Sequence, residues 1–191
     1  MKVVAFNGSA RAKGNTAIML NAVLDELRKE DIETEVVTLA GKIIPGCRSC
    51  YRCFKNADGH CAVTGDIVNE CIDKMRAADG ILLGSPTYFS DITASMKALI
   101  ERAGLTSRAN QEMFKRKIAA GVVAVRRAGA IHAFSSLNLF FLICQMIVVG
   151  SSYWNVGIGR DAGEVEKDVE GLQTMKVLGQ NMAWLLKKLH A

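Results

Sequence analysis

Four cysteines of this chain lie close together, in a spacing that thiol chemistry can use. They fall within residues 46–61 in the pattern C-x2-C-x2-C-x7-C, whereas Cys71 and Cys144 stand apart at the apolar positions of helical patterns. Closely spaced thiolates serve as metal ligands, redox pairs or disulfide partners. The segment therefore predicts a metal or redox site, with the candidate ligands Cys47, Cys50, Cys53 and Cys61.

A second candidate site is the loop NGSARAKGNT (7–16), which follows the first apolar run. Its glycines allow tight turns, its polar side chains offer hydrogen-bond donors, and the next helix presents free backbone N–H groups. The loop lacks both the dinucleotide fingerprint G-x-G-x-x-G and the lysine–threonine ending of a triphosphate loop. It predicts either a simple glycine-rich turn or a phosphate monoester site with the candidate residues Ser9, Arg11, Gly14, Asn15 and Thr16.

The loop GSPTYFSD (84–91) follows a fully apolar run and has the residues to line a flat ring. A proline stiffens the turn, and the aromatic side chains and backbone amides beside it can contact a ring. Taken alone, aromatic residues after a strand are more typical of core packing than of cofactor binding. Beside a phosphate loop they predict a flavin mononucleotide (FMN), contacted by Pro86, Thr87, Tyr88 and Phe89.

Alternating strand-like and helix-like segments must position these loops. Short apolar runs predict strands at 2–6, 33–39, 80–84, 117–125 and 152–156. Helical periodicity predicts helices at 15–29, 66–77 (with Asp66 as N-cap), 91–102, 134–148 and 164–189. The pattern predicts a three-layer, doubly wound α/β sandwich, a single domain over 1–191 with a cysteine-rich insertion at about 40–65. Ligands of such folds bind outside the carboxyl ends of the strands, where both loops fall.

Composition narrows the class of partner. The chain is 50% apolar and 23% charged, with a net charge of +5, which is ordinary for a globular protein. The sequence has no basic helix and no aromatic–basic ribbon, so it does not predict nucleic-acid binding. The N-terminus lacks a signal-peptide core, and the apolar run 139–150 is too short to span a bilayer. We therefore expect a cytoplasmic protein with no membrane partner, in which disulfides are rare.

The same apolar run bears on assembly. It predicts a helix that is buried or covered by a second subunit. Its residues Phe140, Phe141 and Met146, with Trp154 nearby, would offer more apolar surface than one small domain needs to cover. The sequence thus predicts a homodimer or tetramer.

Taken together, these segments resemble the iron–sulfur flavoproteins, a branch of the flavodoxin-like NAD(P)H-dependent FMN reductase superfamily. The similarity is carried by GSARAKGNT, the cysteine segment, GSPTYFSDITASMKALIERAG, VRRAG and EGLQTMKVLGQN. It implies a five-stranded parallel sheet in the order 2-1-3-4-5 and an FMN held by three loops. The third loop would be RRAGAIH (126–132), with Arg127 and Gly129 as its candidate cofactor-binding residues.

The resemblance also implies that the cysteine segment binds a 4Fe–4S cluster, whose ligands are thiolates. Two-residue gaps let one loop wrap three corners of such a cluster. Three alternatives stay open: a structural zinc, usually held by two separated C-x2-C pairs; a cysteine loop without metal; and a redox dithiol such as Cys50/Cys53. His60 and His132 are more typical of solvent-facing side chains.

We therefore expect an FMN-dependent electron-transfer oxidoreductase that couples FMN to the cluster, with a ferredoxin-type electron donor. No side chain is predicted to be catalytic, because the flavin carries the chemistry. One alternative is an NAD(P)H-dependent FMN or quinone reductase without a cluster. A second is a non-catalytic FMN-binding redox sensor.

Overall fold

A computed structural model describes residues 1–190, which form one parallel sheet with helices on both faces. The strands are β1 (Lys2–Asn7), β2 (Glu33–Thr38), β3 (Gly80–Pro86), β4 (Ile118–Val125), β5 (Ile147–Val148) and β6 (Val156–Ile158). The helices are α1 (Asn15–Arg28), α2 (Arg52–Asn56), α3 (Val68–Ala77), α4 (Ala94–Ala109), α5 (Ala130–Ile143) and α6 (Val169–Leu189), with a 3-10 turn at Glu164–Lys167.

The strand order is β2-β1-β3-β4-β5, and every pairing is parallel. This confirms the predicted doubly wound α/β sandwich and its order 2-1-3-4-5. Successive side chains of a strand point to opposite faces. In β1, Val3 and Ala5 accordingly pack against α1 and α6, whereas Val4 and Phe6 pack on the side of α3, α4 and α5.

The last sheet position differs from the prediction, because two short strands share it. β5 pairs with the start of β4, at Ile118 and Ala119, and β6 pairs with its end. Between them the buried Asn155 bonds the middle of β4 in place of a strand. Its side-chain amide donates to the Gly121 carbonyl (3.0 Å), and its backbone carbonyl accepts from Val123 N–H (2.9 Å). The predicted strand at 152–156 is therefore wrong in its bounds.

Several helix boundaries also differ, including the start of α5 (130 rather than 134), the end of α4 (109 rather than 102) and the start of α6 (169 rather than 164). α5 ends at Ile143 because Gln145 adopts a left-handed φ of 57° and the β-branched residues after it join the sheet. α4 begins at Ala94 rather than at 91, because the Thr93 hydroxyl caps it by accepting from Met96 N–H (3.2 Å). The N-cap of α3 is Ile67 rather than Asp66.

The apolar run around α5 is mostly core. Phe140, Phe141 and Met146 are buried within the subunit, so the prediction that they cover a partner is wrong for these residues. The exposed apolar side chains of α5 are instead Leu139, Leu142 and Ile143, at 64%, 60% and 59%, together with Ile131 near its start. Across residues 1–190, no helix has the length and apolar character needed to cross a membrane.

Candidate functional site

The predicted phosphate loop and ring loop meet at the carboxyl edge of the sheet. They surround a cavity of about 190 Å³ together with residues that follow β4 and β6. The lining residues are Ser9, Arg11, Asn15, Thr16, Pro86, Thr87, Tyr88, Ala124, Arg126, Gly159 and Arg160. Parallel strands bring loops that are distant in sequence to one edge, which explains the convergence.

The phosphate loop is folded by its own side chains. The buried Asn7 donates to the Ala12 carbonyl (3.1 Å) and accepts from Ser9 N–H (3.0 Å), and the Ser9 hydroxyl accepts from Arg11 N–H (3.1 Å). A Cβ at Gly14 would lie 3.0 Å from the Arg11 Cβ, so the turn is too tight for a larger residue. Gly14 also caps α1 without a side-chain bond, which leaves the helix N-terminus open towards an anion.

Two buried hydroxyls at the cavity have no hydrogen-bond partner among residues 1–190. They are the Thr16 and Thr87 Oγ1 atoms. An unpaired buried hydroxyl is unfavourable, so these atoms point to a polar ligand. Three guanidinium groups (Arg11, Arg126 and Arg160) line the cavity, and its described lining includes no carboxylate. This donor set fits a phosphate dianion.

Asn15 makes two contacts within the protein besides its predicted donation to a phosphate. Its amide nitrogen donates to the Asp161 carbonyl (2.9 Å), and its oxygen accepts from Val165 N–H (3.3 Å). Arg11 adds a bond to the Arg160 carbonyl (3.3 Å). These contacts hold the segment after β6 against the phosphate loop.

The ring loop forms a tight turn. The backbones of Tyr88 and Asp91 bond each other (2.8 and 3.2 Å), and Phe89 has a left-handed φ of 47° with a fully exposed side chain. Gly129, with φ of 85°, packs against this turn, since a Cβ there would lie 3.3 Å from the Thr87 Cγ2. In the third loop the cavity-lining side chain is Arg126, and the predicted Arg127 is exposed beside it.

A polar group supports the ring loop from α5. Ser136 donates to the Asp91 carboxylate (2.7 Å), and the mostly exposed His132 lies 3.6 Å from its other oxygen. Burial alone would raise the pKa of Asp91, but its hydrogen bonds from Ser136 and the Ile92 N–H lower the pKa below its ordinary value.

Sequence reasoning missed Arg126, Gly159 and Arg160. A signal for them existed, because Gly159 and Arg160 directly follow the last strand, at the same edge as the other loops, and Arg126 opens the predicted third loop. A Cβ at Gly159 would lie 2.6 Å from the Val165 N. The close approach of the segment after β6 therefore requires this glycine.

The four clustered cysteines line a second, much smaller cavity of about 10 Å³, together with residues of α4. All four cysteines belong to the lining of this cavity, although within residues 1–190 no three His, Cys, Asp or Glu side chains are grouped tightly enough to hold a metal ion. Thr106 of α4 also lines this cavity, and its buried hydroxyl has no hydrogen-bond partner in the described residues. The ligand chemistry fits an iron–sulfur cluster, but the cavity would have to widen to admit one.

Neighbouring helices hold the two ends of the cysteine segment. Cys61 exchanges two backbone bonds with the Asn69 side chain, both 2.9 Å, and Cys47 N–H donates to the Glu101 carboxylate (3.3 Å). Between these ends the backbone is strained, with left-handed φ angles at Ser49, Tyr51 and Ala57. The ends are therefore fixed and the middle is the part able to rearrange.

The remaining cysteines are buried in the core, and His60 contacts a carboxylate. Cys71 and Cys144 are fully buried, as predicted, and burial raises the pKa of their thiols to about 12 and about 11. Burial also raises the pKa of the Cys53 thiol. His60 lies 3.1 Å from both carboxylate oxygens of Asp73.

Comparison with known proteins places this geometry in context. Residues 1–161 match the family model described as NADPH-dependent FMN reductase. The chain is 36% identical over 192 residues to an iron–sulfur flavoprotein of Methanocaldococcus jannaschii, covering 98% of each chain. It is 30% identical over 189 residues to an iron–sulfur flavoprotein of Methanosarcina thermophila, covering 98% of this chain and 96% of that one.

Solved structures agree on the fold. RosB, solved with a bound 8-demethyl-8-formylriboflavin-5'-phosphate, superposes with a TM-score of 0.77 at 19% identity, covering 100% of this chain and 80% of RosB. An archaeal flavodoxin gives a TM-score of 0.63 at 16% identity, with 98% and 99% coverage.

Proposed function

The chain belongs to the NADPH-dependent FMN reductase family, within its iron–sulfur flavoproteins, and on that premise we propose that it transfers electrons between FMN and a 4Fe–4S cluster. Membership of this family makes it a flavin-dependent oxidoreductase. FMN, when bound, accepts one or two electrons, whereas a cluster accepts one at a time. A protein holding both can convert two-electron into one-electron transfer.

The larger cavity has the residues to hold FMN. Arg11, the open N-terminus of α1 and the Thr16 hydroxyl would bind the phosphate, with Arg126 and Arg160 adding positive charge. Bidentate guanidinium groups suit phosphate oxygens. Pro86 to Phe89 would lie along the ring, and the Thr87 hydroxyl would gain the partner that it otherwise lacks.

The observation that carries the cluster proposal is the common cavity of the four thiols. Residues spread over 47–61 line one place beside α4, at the ligand spacing found in the sequence. The relatives of this chain are named iron–sulfur flavoproteins, which supports the same cofactor. The strained middle of the segment, which includes Ser49 and Tyr51, is where the backbone would adjust to place the sulfurs around a cluster.

Anaerobic reconstitution tests the proposal. Wild-type protein should take up about four iron and four sulfide per chain, as a 4Fe–4S cluster requires. Replacement of one segment cysteine by Ala should abolish or cripple iron uptake, because a missing thiolate opens a cluster corner, while FMN stays bound. Cys71→Ala and Cys144→Ala are the matched controls, expected to keep iron and to cost roughly 1 kcal/mol of stability.

The second candidate is an NAD(P)H-dependent FMN or quinone reductase without a cluster. It is favoured by the small volume of the thiol cavity, about 10 Å³, and by the absence of a ready-made metal group within residues 1–190. Wild-type protein that takes up no iron anaerobically but oxidises NAD(P)H steadily would establish this candidate. Wild-type protein that binds FMN but shows neither iron uptake nor NAD(P)H turnover would favour the redox sensor.

An acidic, ferredoxin-type protein is the electron donor that we propose. Arg48, Arg52 and Lys55 are exposed beside the segment cysteines and would attract a negative surface. Attraction between such surfaces weakens as salt screens the charges. The rate of electron transfer from a ferredoxin should therefore fall with ionic strength, and should fall further in a variant with all three residues changed to Ser.

A further inference from the structure

The most deeply buried cation of the described chain lies against the cysteine segment. The Arg102 side chain of α4 is fully inaccessible to solvent. Its Nη1 lies 2.5 Å from the Asp66 carboxylate, which is itself almost fully buried. A buried ion pair is a weak source of stability, because desolvation of both charges offsets their attraction. The remaining contacts of the guanidinium are therefore informative.

Those contacts all go to residues 45–63. Nε donates to the Cys61 sulfur (3.3 Å), Nη1 to the Pro45 carbonyl (3.3 Å) and Nη2 to the Val63 carbonyl (2.6 Å). One side chain thus bonds both ends of the cysteine segment and a sulfur between them. The planar, multi-donor fork of arginine makes this arrangement, which the single nitrogen of lysine does not reproduce.

Thr106 stands one turn further along the same face of α4. The residue lines the thiol cavity and is 1% exposed, and its buried hydroxyl has no hydrogen-bond partner among residues 1–190. A buried hydroxyl is normally paired, so this one points to an acceptor placed in the cavity. Arg102 thus donates to one segment sulfur, and Thr106 offers a second, neutral donor beside the same cavity.

We propose that Arg102 and Thr106 are positioning residues of the cysteine site: Arg102 anchors the segment, and both donate hydrogen bonds to sulfur that make the cluster easier to reduce. The inference rests on the proposed 4Fe–4S cluster. Reduction adds negative charge, which a buried cation and hydrogen-bond donors stabilise, and hydrogen bonds to the sulfurs are among the factors that set cluster potentials.

The test compares Arg102→Lys and Thr106→Val with Arg108→Lys, an exposed arginine of the same helix. After anaerobic reconstitution, the cluster is titrated with dithionite as electron donor. Arg102→Lys should lower the reduction equilibrium constant about tenfold, a shift of about 59 mV for one electron. Thr106→Val, which keeps the side-chain shape, should shift it in the same direction by about two- to threefold, and Arg108→Lys should leave it unchanged.

The anchoring role has a readout that needs no iron. Arg48, Arg52 and Lys55 are exposed trypsin sites within the segment. In protein without iron, Arg102→Lys should accelerate cleavage there several-fold, whereas Thr106→Val and Arg108→Lys should cleave like wild type. Cleavage of Arg102→Lys at the wild-type rate would overturn the anchoring role.

The two proposals fail in different ways. Wild-type protein that takes up no iron overturns the proposed function and with it the effect on potential, and the trypsin experiment still decides the anchoring. Wild-type protein that takes up iron, with both variants at the potential of Arg108→Lys, overturns the effect on potential alone. Should Arg102→Lys not fold, the isosteric Thr106→Val decides the effect on potential, and collapse of the fold without the Arg102 fork confirms anchoring only if Arg108→Lys folds normally.

Discussion

Thr16 illustrates how a single atom can report on a ligand. Its hydroxyl is buried at the first turn of α1 and lacks a partner among residues 1–190, which costs about 1–3 kcal/mol. Removing that hydroxyl would relieve the cost in the free protein and forfeit the bond to a phosphate. The residue is thus placed for binding at the expense of stability.

Arg11→Ala combined with Thr16→Val should therefore weaken FMN binding while the fold persists. Each lost charge-assisted bond is worth about 1.5 kcal/mol, so each change should cost roughly tenfold and the pair roughly a hundredfold in Kd. Calorimetry with FMN measures this, and the melting temperature of the FMN-free protein should not fall. Lys13→Ala, an exposed cation of the same loop, is the control. Unchanged FMN affinity in the double variant would refute the phosphate assignment.

The sequence alone can predict the role of a residue when that role depends only on the loop in which the residue lies. Ser9, Arg11 and Thr16 follow a strand and precede a helix, so their pattern alone places them at the sheet edge. Arg102 is different, because its partners lie 36 to 57 residues away. In the sequence Arg102 lies on an apolar helical face, where a charged residue is unusual but its partners are not evident. Only the tertiary structure shows what that charge contacts.

A largely buried polar bridge adds to the apolar packing of α1 against α6. Glu26 of α1 is largely buried and accepts from Lys29 (2.5 Å) and from Gln180 of α6 (3.0 Å). At the same place a Cβ on Gly179 would lie 2.5 Å from the Val23 carbonyl oxygen, so the helices touch through backbone. The hydrogen bonds from Lys29 and then Gln180 lower the pKa of Glu26 below its ordinary value of 4.5.

This lowered pKa gives the stability a pH dependence of known sign. A carboxyl whose folded pKa lies below its unfolded value stabilises the fold above the unfolded pKa and loses that effect as pH falls through the folded pKa. Glu26→Gln should therefore lower the melting temperature by about 2–4 °C at pH 7, as the loss of roughly 1 kcal/mol would do. The difference from wild type should shrink below the ordinary carboxyl pKa of 4.5.

Thermal melts between pH 3 and pH 7 measure this effect. The control is Glu30→Gln, which removes an exposed ion pair to Lys187 across the same two helices. Exposed pairs contribute little, so its melting temperature should follow wild type closely. A constant difference between Glu26→Gln and wild type at every pH would contradict the assignment.

At the scale of elements, the sequence predicts the strand and helix order well because periodicity is local. It fails at the last sheet position. Apolar residues 139–149 read as one continuous helix, whereas the chain turns at Gln145 and gives Ile147 and Val148 to the sheet. What decides this is the free edge of β4, a partner about 30 residues away in sequence. Local pattern does not contain that information.

One exposed apolar surface of the molecule is formed by Leu139, Leu142 and Ile143 of α5. They recur at helical spacing on one face, and no charged residue interrupts α5 except the titratable His132. Exposed apolar faces of this kind are typical of subunit contacts. We propose that this face, rather than the buried phenylalanines first predicted, is where a second copy binds.

Light scattering should accordingly give a dimer or tetramer mass for wild type at micromolar concentration. Leu139→Gln with Leu142→Gln should dissociate it, because the contact loses its apolar centre. Trp184→Gln, which changes an exposed apolar residue of α6, should leave the mass unchanged. A monomer mass for wild type with FMN bound would exclude this assembly.

The divided last strand has a further consequence, for aggregation. A long unpaired edge strand is a template on which other chains can add strands. Here β5 and β6 are two and three residues long and are separated by the excursion that places Asn155 between them, so that edge offers no continuous row of backbone donors and acceptors. The opposite edge, β2, carries Glu33 and Glu35, which pair with Lys2 and Lys74. Both edges thus oppose strand addition, so copies of this protein are expected to join through side chains of α5 and to stay soluble as defined oligomers rather than as fibres.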